Sequence, residues 1–358
     1  MGFGKEIDLD NEAFAINNPI IYNNIVIAHF RRRYGNYINR VFQVTQDNIL
    51  LGLSRNTRTL IINDLPKEKI ERHLFPFFAV ASSSGTVRNE HINFCANYIL
   101  LISFPVLTID KIVDENNTLI SGNKARAFGP ILASFTSIYV ATTKLCENPK
   151  FSSLLQIVSN NYSTVFQSII EDIYNRYNLS YLDNPRAYLQ QELSSPVSQL
   201  TSKYFETSLT CALLINEVQI HSEIINFAKE FGRLRQIIDQ IADIREDITV
   251  GKITFPILFA LIKDKNNILK KQILDFWCLK ESKKRAFELE RIIGNIKEFG
   301  GYDEAYNLSV QIYNDIQKKF INLPITIGSL ELKSLILLKK AYLERIKRNN
   351  WKDVPNCY

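Results

Sequence analysis

Three aspartates recur at four-residue intervals in the second half of the chain: Asp239, Asp243 and Asp247. The apolar residues around them follow helical spacing, which predicts one amphipathic helix over His221 to Asp247 with the three carboxylates on one face. Like charges stacked in this way repel one another unless a cation lies among them. Carboxylate oxygens suit Mg²⁺, which completes its coordination shell with water and phosphate. The spacing therefore indicates a magnesium site, with a solvated acidic face as the alternative.

A second pair of aspartates with the same spacing lies far upstream, at Asp110 and Asp114, directly after an apolar run. Two acidic stripes on separate helices can face each other across a helical bundle and hold metal ions between them. The second copy favours the magnesium site over the solvated face. We expect one long helix from His91 to Asp114 to carry this pair.

The composition indicates a globular protein with enough apolar side chains for a large core. Of 358 residues, 46% are hydrophobic and 22% are charged, and there are only 13 glycines and 11 prolines. Few glycines and prolines disfavour a turn-rich β architecture, so we predict an all-α fold. The net charge of +6 is spread along the chain. Its basic clusters are short, as is typical of solvated faces, so nucleic-acid binding is not predicted.

The cysteines and the apolar segments bear on the cellular location. The five cysteines are scattered and show no C-x-x-C pair, which argues against a zinc site or a disulfide framework and favours a reducing compartment. The first residues lack the apolar core of a signal peptide. The longest apolar run, Tyr98 to Ile109, is broken by Ser103 and Pro105 and is too short to span a bilayer. We predict a cytoplasmic protein without stable membrane insertion.

The pattern of apolar residues predicts a single large domain of roughly a dozen helices. We expect residues 1–18 to be a loose lead-in, residues 19–348 to form the all-α domain, and residues 349–358 to be a short tail. Pro185 to Pro196 is expected to interrupt the helices on either side of it.

Taken together, these segments resemble the trans-isoprenyl diphosphate synthase family of the class I terpenoid synthase superfamily, from about Arg72 to Arg348. Ile109 to Glu115 stands where the family has its first D-D-x-x-D motif, and Gln236 to Asp243 resembles the second. Gly251 to Pro256 resembles the family's G-K-x-T-x-P stretch. The resemblance implies a helical bundle with a central prenyl diphosphate cavity, three Mg²⁺ ions and a homodimer.

The resemblance also implies roles for individual residues. The catalytic positions would be Asp110, Asp114 and Asp239, and the metal ligands would be these three together with Asp243. The diphosphate contacts would come from Lys203, which stands where the family places a lysine between its motifs, and from Lys252, Gln236 and Arg72. The expected aromatic liners of the cavity are Tyr98, Phe104, Phe135, Tyr139, Tyr204 and Phe205, with ordinary core packing as the alternative for each.

The departures from the family pattern concern mainly the second substrate. The second Asp of each D-D-x-x-D motif is replaced, by Lys111 and by Gln240. Of the family's G-G-K-x-x-R-P, which cradles isopentenyl diphosphate, only Arg72 and the proline remain in Glu71 to Pro76. A histidine before the first motif is replaced by Ser103, and the Arg-Arg-Gly after it is also lost. An anionic co-substrate needs charge-assisted donors, so we expect this half of the site to be eroded.

We therefore predict a Mg²⁺-dependent terpene synthase that ionises an allylic prenyl diphosphate and cyclises or quenches the carbocation. The small residues Pro105 and Val106 before the first motif suggest a C15 or C20 substrate, because large residues there shorten the pocket in the family. The alternatives are a prenyltransferase with an aromatic or peptide acceptor, a residual polyprenyl diphosphate synthase, an inactive subunit, or a non-catalytic helical partner protein. A pocket between the acidic stripes would favour an enzyme, and a filled interior would favour the partner protein.

Overall fold

The structure is a computed structural model that describes residues 9–49, 67–83, 85–99, 152–194, 200–219, 222–279, 281–321 and 329–351. These ranges contain helices and connecting turns, and no residue within them is in a strand, which confirms the predicted all-α class. The helices are α1 (Glu12–Asn17), α2 (Pro19–Ile49), α3 (Lys67–Ser83), α4 (Asn89–Tyr98), α5 (Ser152–Tyr174), α6 (Leu179–Asp183), α7 (Pro185–Ser194), α8 (Leu200–Ile215), α9 (Ser222–Ala242), α10 (Ile244–Thr249), α11 (Phe255–Lys263), α12 (Ile268–Cys278), α13 (Ser282–Glu298), α14 (Gly301–Ile321) and α15 (Ser329–Arg348).

Helix α8 lies at the centre of the bundle, where it packs against α3, α5 and α9. Most of its side chains are buried, including small polar ones such as Ser202 and Thr207, as expected of a helix surrounded by other helices. The closest approach is to α9 at Gly232, where an added Cβ would lie 2.6 Å from the backbone nitrogen of Ser202. A side chain at position 232 would therefore push the two central helices apart.

The helix that carries the second acidic stripe ends earlier than its sequence predicts. Residues 222–242 form α9, and α10 begins at Ile244, so the predicted single helix to Asp247 is divided at Asp243. The backbone still makes helical hydrogen bonds from Asp243 N to Asp239 O (2.8 Å) and from Asp247 N to Asp243 O (3.0 Å). The division is therefore a local break. Aspartate is a poor residue for a helix interior and favours helix ends, which accounts for its position.

Residues 9–18 are more ordered than the predicted loose lead-in of residues 1–18. Asn11 caps α1 by accepting a hydrogen bond from the Phe14 backbone N–H at 2.8 Å, which satisfies one free donor of the first turn. Ala15 is fully buried, and α1 packs against α15. The Tyr22 hydroxyl donates to the Leu9 carbonyl at 2.8 Å. These contacts fix residues 9–18 to the domain.

Two further segments differ from the sequence-based expectation. Pro185–Ser194 forms α7 where an interruption is predicted, because proline is well tolerated in the first turn of a helix. At the other end of the domain, Trp351 is buried and stacks on Tyr302 with ring centroids 5.3 Å apart. Within the described part of the chain, no helix is both long and apolar enough to cross a membrane.

Candidate active site

Asp239 is the one predicted catalytic residue that the structure describes. It lies on α9, where its Oδ2 is 3.5 Å from Arg235 Nε one turn earlier. Its Oδ1 is buried and has no hydrogen-bond partner within the described residues. A buried carboxylate oxygen without a donor is costly unless a cation or water approaches it. Asp239 therefore fits a hard divalent cation such as Mg²⁺.

The metal site is incomplete within the described residues. Asp243 follows Asp239 by one turn and can serve as a second oxygen ligand. Among the residues that the structure describes, no three His, Cys, Asp or Glu side chains lie close enough together to hold one metal ion. Asp110 and Asp114 lie outside the described residues, as do Lys111 and Ser103. The predicted opposition of two acidic stripes thus stays a prediction.

Lys203 and Gln236 lie on the two central helices, α8 and α9, which approach closely at Gly232. The Thr201 hydroxyl donates to Gln236 Oε1 at 2.6 Å, which holds the amide against α8. Lys203 is half-buried, and its Nζ lies 2.9 Å from Glu206 Oε2 on the same helix. Each of the two predicted diphosphate contacts is therefore paired with a neighbouring polar group.

The Gly251 to Pro256 stretch is a connection between two helices, α10 and α11. Gly251 has a φ of +81°, and the backbone N–H groups of residues 251 and 252 donate to Ile248 O (3.2 Å) and Asp247 O (2.8 Å). This is a Schellman motif, in which a left-handed residue, usually glycine, ends the helix. Thr254 then precedes α11, and Pro256 lies in its first turn. The loop fixes the backbone of Lys252 three residues beyond Thr249, the last residue of α10.

Lys252 lies within a group of charges that the motifs alone do not reveal. Its Nζ is 3.2 Å from Asp172 Oδ2 on α5, and Arg176 NH2 is 3.4 Å from the same oxygen. Burial raises the pKa of Asp247 well above its ordinary value, and nearby Lys252 partly opposes this shift. Asp243 and Asp172 are close enough to raise the pKa further by like-charge repulsion. Lys252 thus lies near Asp247 of the second acidic stripe and forms an ion pair with Asp172 of α5.

Glu192 on α7 is a second residue that sequence reasoning missed. Only 8% of its surface is exposed. Burial, followed by repulsion from Asp172 and Glu171, raises its pKa to about 7. Asp172 and Arg176 have the four-residue spacing of a helical ion pair, so the sequence contained a signal for them. It contained none for Glu192, because Pro185 to Pro196 is predicted to be an interruption.

The segment that corresponds to the isopentenyl diphosphate contacts of the resembled family is apolar here. Phe75 is buried and stacks on Phe30 of α2 with ring centroids 4.6 Å apart. Arg72 lies on the same helix, α3, but its side chain is outside the described residues. The described side chains of this turn therefore offer aromatic surface in place of charge-assisted donors.

The described members of the predicted aromatic lining divide into two groups. Tyr98 and Tyr204 are buried against each other in an edge-to-face contact at 6.4 Å, which is ordinary core packing. Phe205 lines a small cavity of about 40 Å³ between α2, α3, α8, α9 and α15. Phe104, Phe135 and Tyr139 lie outside the described residues.

Comparisons with known proteins agree with this architecture. No family model matches the chain. A prenyl transferase of Cyanidium caldarium is 26% identical over 270 residues, which cover 69% of this chain and 76% of that protein. The solved polyprenyl synthase of Roseobacter denitrificans superimposes with a TM-score of 0.68 at 15% identity, over 90% of this chain and 100% of that one.

A geranylgeranyl pyrophosphate synthase of Lactobacillus brevis gives a TM-score of 0.69 at 13% identity, over 86% of this chain and 97% of that one. A heptaprenyl diphosphate synthase of Staphylococcus aureus gives 0.60 at 18% identity, over 86% and 97% of the two chains. The resemblance to the trans-isoprenyl diphosphate synthases is confirmed, and the chain has the fold of that family.

Proposed function

We propose that this chain, with its trans-isoprenyl diphosphate synthase fold, is a Mg²⁺-dependent enzyme that ionises an allylic prenyl diphosphate. The observation that carries the proposal is the buried Oδ1 of Asp239, which has no hydrogen-bond partner in the described part of the chain. Asp239 lies on α9, which packs against α8, the helix that carries Lys203. After α9 the chain continues through Asp243 and α10 to the loop that contains Lys252. The similarity to a protein described as a prenyl transferase supports the same class of substrate.

Asp239 and Asp243 would hold the cation from one side, and Asp110 and Asp114 are expected to complete its ligands, with three ions in the loaded site. When bound, Mg²⁺ supplies positive charge that stabilises the departing diphosphate. Lys203 and Lys252 would bind the diphosphate oxygens. Each lysine is paired with a carboxylate in the free protein, at 2.9 Å and 3.2 Å. Substrate binding therefore exchanges a side-chain carboxylate for a diphosphate oxygen at each lysine.

The fate of the carbocation separates three candidate functions. Internal cyclisation or quenching, as in a terpene synthase, is supported by the Glu71 to Pro76 segment, which keeps only Arg72 and the proline of the family's isopentenyl diphosphate motif and whose Phe75 stacks on Phe30. Transfer to an acceptor other than isopentenyl diphosphate is the alternative that the same loss of isopentenyl diphosphate contacts allows. The activities of the similar solved proteins favour a third outcome, residual chain elongation with isopentenyl diphosphate.

Incubation with Mg²⁺ and geranyl, farnesyl or geranylgeranyl diphosphate, each with and without isopentenyl diphosphate, tests these outcomes. Hydrocarbon or alcohol formed from the allylic substrate alone supports the terpene synthase. Longer diphosphates formed only with isopentenyl diphosphate support chain elongation. Absence of diphosphate release in every incubation contradicts the proposal and leaves the inactive subunit or the non-catalytic partner protein.

The matched variants for this experiment are Asp239→Asn and Asp275→Asn, the latter at an exposed position on α12. We expect the first to abolish diphosphate release and the second to leave it unchanged. The predicted homodimer and the predicted cytoplasmic location stay predictions. Sedimentation equilibrium of the full chain would test the former.

A further inference from the structure

The loop that carries Lys252 is contacted by two aromatic residues that lie outside all the predicted motifs. Tyr177 follows the end of α5, and Trp277 lies on α12. Their rings meet edge to face, with centroids 5.3 Å apart, which is a favourable arrangement for aromatic side chains. These two residues, the aromatic pair, therefore join α5 to α12 beside the loop.

The aromatic pair donates hydrogen bonds to three backbone carbonyls at the end of α10 and in the loop. Trp277 Nε1 donates to Ile248 O at 3.1 Å. The Tyr177 hydroxyl donates to Thr249 O at 3.3 Å, and the Tyr177 backbone N–H donates to Gly251 O at 2.8 Å. Carbonyls in the last turn of a helix lack their usual partner within the helix. The aromatic pair supplies donors to this helix end and to the loop that follows it.

Tyr177 has a backbone conformation that is uncommon for a bulky residue. Its φ is +55°, in the left-handed region. Such a conformation persists only where several contacts fix it, and it is found most often at functional sites. Nearly half of the residue's surface, 48%, is exposed, so burial in the core does not account for it. Its ring lies directly against Gly251, where an added Cβ would be 2.7 Å from three of the ring atoms.

The contacts of α5 and of Tyr177 reach both the backbone and the side chain of Lys252. The lysine backbone N–H donates to Asp247 O at 2.8 Å, and the preceding carbonyl, Gly251 O, accepts from Tyr177. The lysine Nζ lies 3.2 Å from an oxygen of Asp172, which precedes Tyr177 on α5. Ordering a loop when a ligand binds costs free energy, and a loop that is ordered beforehand avoids this cost.

We propose that Tyr177 and Trp277 are positioning residues for Lys252, which hold its loop in the diphosphate-binding arrangement before the substrate arrives. The inference rests on the proposed binding of diphosphate by Lys252. Both aromatic residues act through the backbone of residues 248–251, and neither needs to touch the substrate. The expected effect of losing the pair is a weaker affinity for diphosphate, because the loop must then be ordered on binding.

Isothermal titration calorimetry with inorganic pyrophosphate and Mg²⁺ tests the proposal. Tyr177→Asn removes the ring, and asparagine tolerates the left-handed backbone. We expect this variant to bind pyrophosphate about tenfold more weakly than the wild-type protein. Tyr177→Phe keeps the ring and the backbone hydrogen bond, so it should retain most of the affinity. Tyr174→Asn, at a position of α5 that is 80% exposed, is the matched control and should bind as the wild-type protein does.

A double-mutant cycle with Lys252→Met separates positioning from a general loss of structure. If Tyr177 acts through Lys252, the variant with both Tyr177→Asn and Lys252→Met should bind pyrophosphate no more weakly than Lys252→Met alone. A merely structural role would weaken binding by the same factor in either background. Losses that multiply in the double variant would therefore overturn the proposal.

Hydrogen exchange of the wild-type protein gives a measurement that does not depend on the folding of a variant. The amides of Gly251 and Lys252 donate to Ile248 O and Asp247 O, so in the unliganded protein they should exchange as slowly as the amides of α10. Addition of Mg²⁺ and pyrophosphate should change their exchange little. Fast exchange that becomes slow only with pyrophosphate would show that the ligand orders the loop, and would overturn the proposal.

The failure of this inference is distinguishable from the failure of the proposed function. Equal pyrophosphate binding by the wild-type protein and by Lys252→Met contradicts the proposed role of Lys252, and with it the reason to position this residue. Weaker binding by Lys252→Met together with unchanged binding by Tyr177→Asn overturns the positioning role alone and leaves the proposed function standing.

Discussion

Replacing Glu192 by glutamine tests the electrostatics around Lys252. The carboxyl of Glu192 is buried on α7, and its pKa is raised to about 7 from an ordinary value of 4.5, first by burial and then by Asp172 and Glu171. Between these two pH values the unfolded chain releases the proton while the folded protein retains it. The folded state therefore loses stability as the pH rises through this window. Below about pH 4.5 both states hold the proton, and the loss is absent.

The size of the effect follows from the pKa. The difference between about 7 and 4.5 corresponds to about 3 kcal/mol of unfolding free energy, since one pKa unit is worth about 1.4 kcal/mol. Glutamine has the shape of the protonated acid and does not titrate. At pH 8, Glu192→Gln should therefore be more stable than the wild-type protein by up to about 3 kcal/mol. Near pH 4.5 the two proteins should have similar stability.

The assay is urea unfolding of both proteins at several pH values from 4.5 to 8, followed by circular dichroism at 222 nm. Glu298→Gln, at an exposed position on α13, is the matched control and should show no such gain. A stability difference between Glu192→Gln and wild type that is the same at every pH would refute the reasoning. A loss of stability in the variant at pH 8 would refute it as well.

Four further predictions concern the packing and the site. Gly232→Ala should lower the unfolding free energy by about 1–3 kcal/mol, because its Cβ meets the backbone of α8, as measured by urea unfolding. Gly251→Ala should lower the melting temperature and weaken diphosphate binding, since φ is +81° and a Cβ would lie 2.7 Å from the Tyr177 ring. Asp239→Asn should weaken Mn²⁺ binding about tenfold or more in electron paramagnetic resonance titrations, because a charged ligand oxygen is lost. Trp351→Ala should cost about 3 kcal/mol in thermal unfolding through lost ring burial, whereas an unchanged midpoint would show that the C-terminal turn does not contribute.

The local chemistry of the chain was largely predictable from sequence. Helical spacing predicts the amphipathic segment of α9, and Gly251 to Pro256 contains residues that end one helix and begin the next. Both depend on neighbours within a few residues along the chain. The break at Asp243 was not predicted, because an aspartate at that position is compatible with either a helix interior or a helix end.

The partners of the predicted residues required the tertiary structure. Asp172 meets Lys252 from a helix that lies about eighty residues earlier, and no spacing rule connects the two. The raised pKa of Glu192 depends on burial by helices from distant parts of the sequence. Arg235 was part of the predicted helix, but its role as a cavity wall depends on the packing of α2, α3 and α15 around it.

The backbone-to-backbone contact at Gly232 affects how α8 and α9 can move relative to each other. Because backbone meets backbone there, the separation of α8 and α9 is fixed at that point, and hydrogen bonds from Thr201 to Gln236 (2.6 Å) and from the Ser202 hydroxyl to Lys229 O (2.7 Å) oppose a change in their crossing angle. Asp239 lies seven residues further along α9, about 10 Å from this pivot. A rotation of about 10° around the pivot would move Asp239 by about 2 Å relative to Lys203, enough to make or break a metal–diphosphate contact. The position of the carboxylate relative to the lysine therefore depends on how firmly the glycine contact and these two hydrogen bonds hold the central helices together.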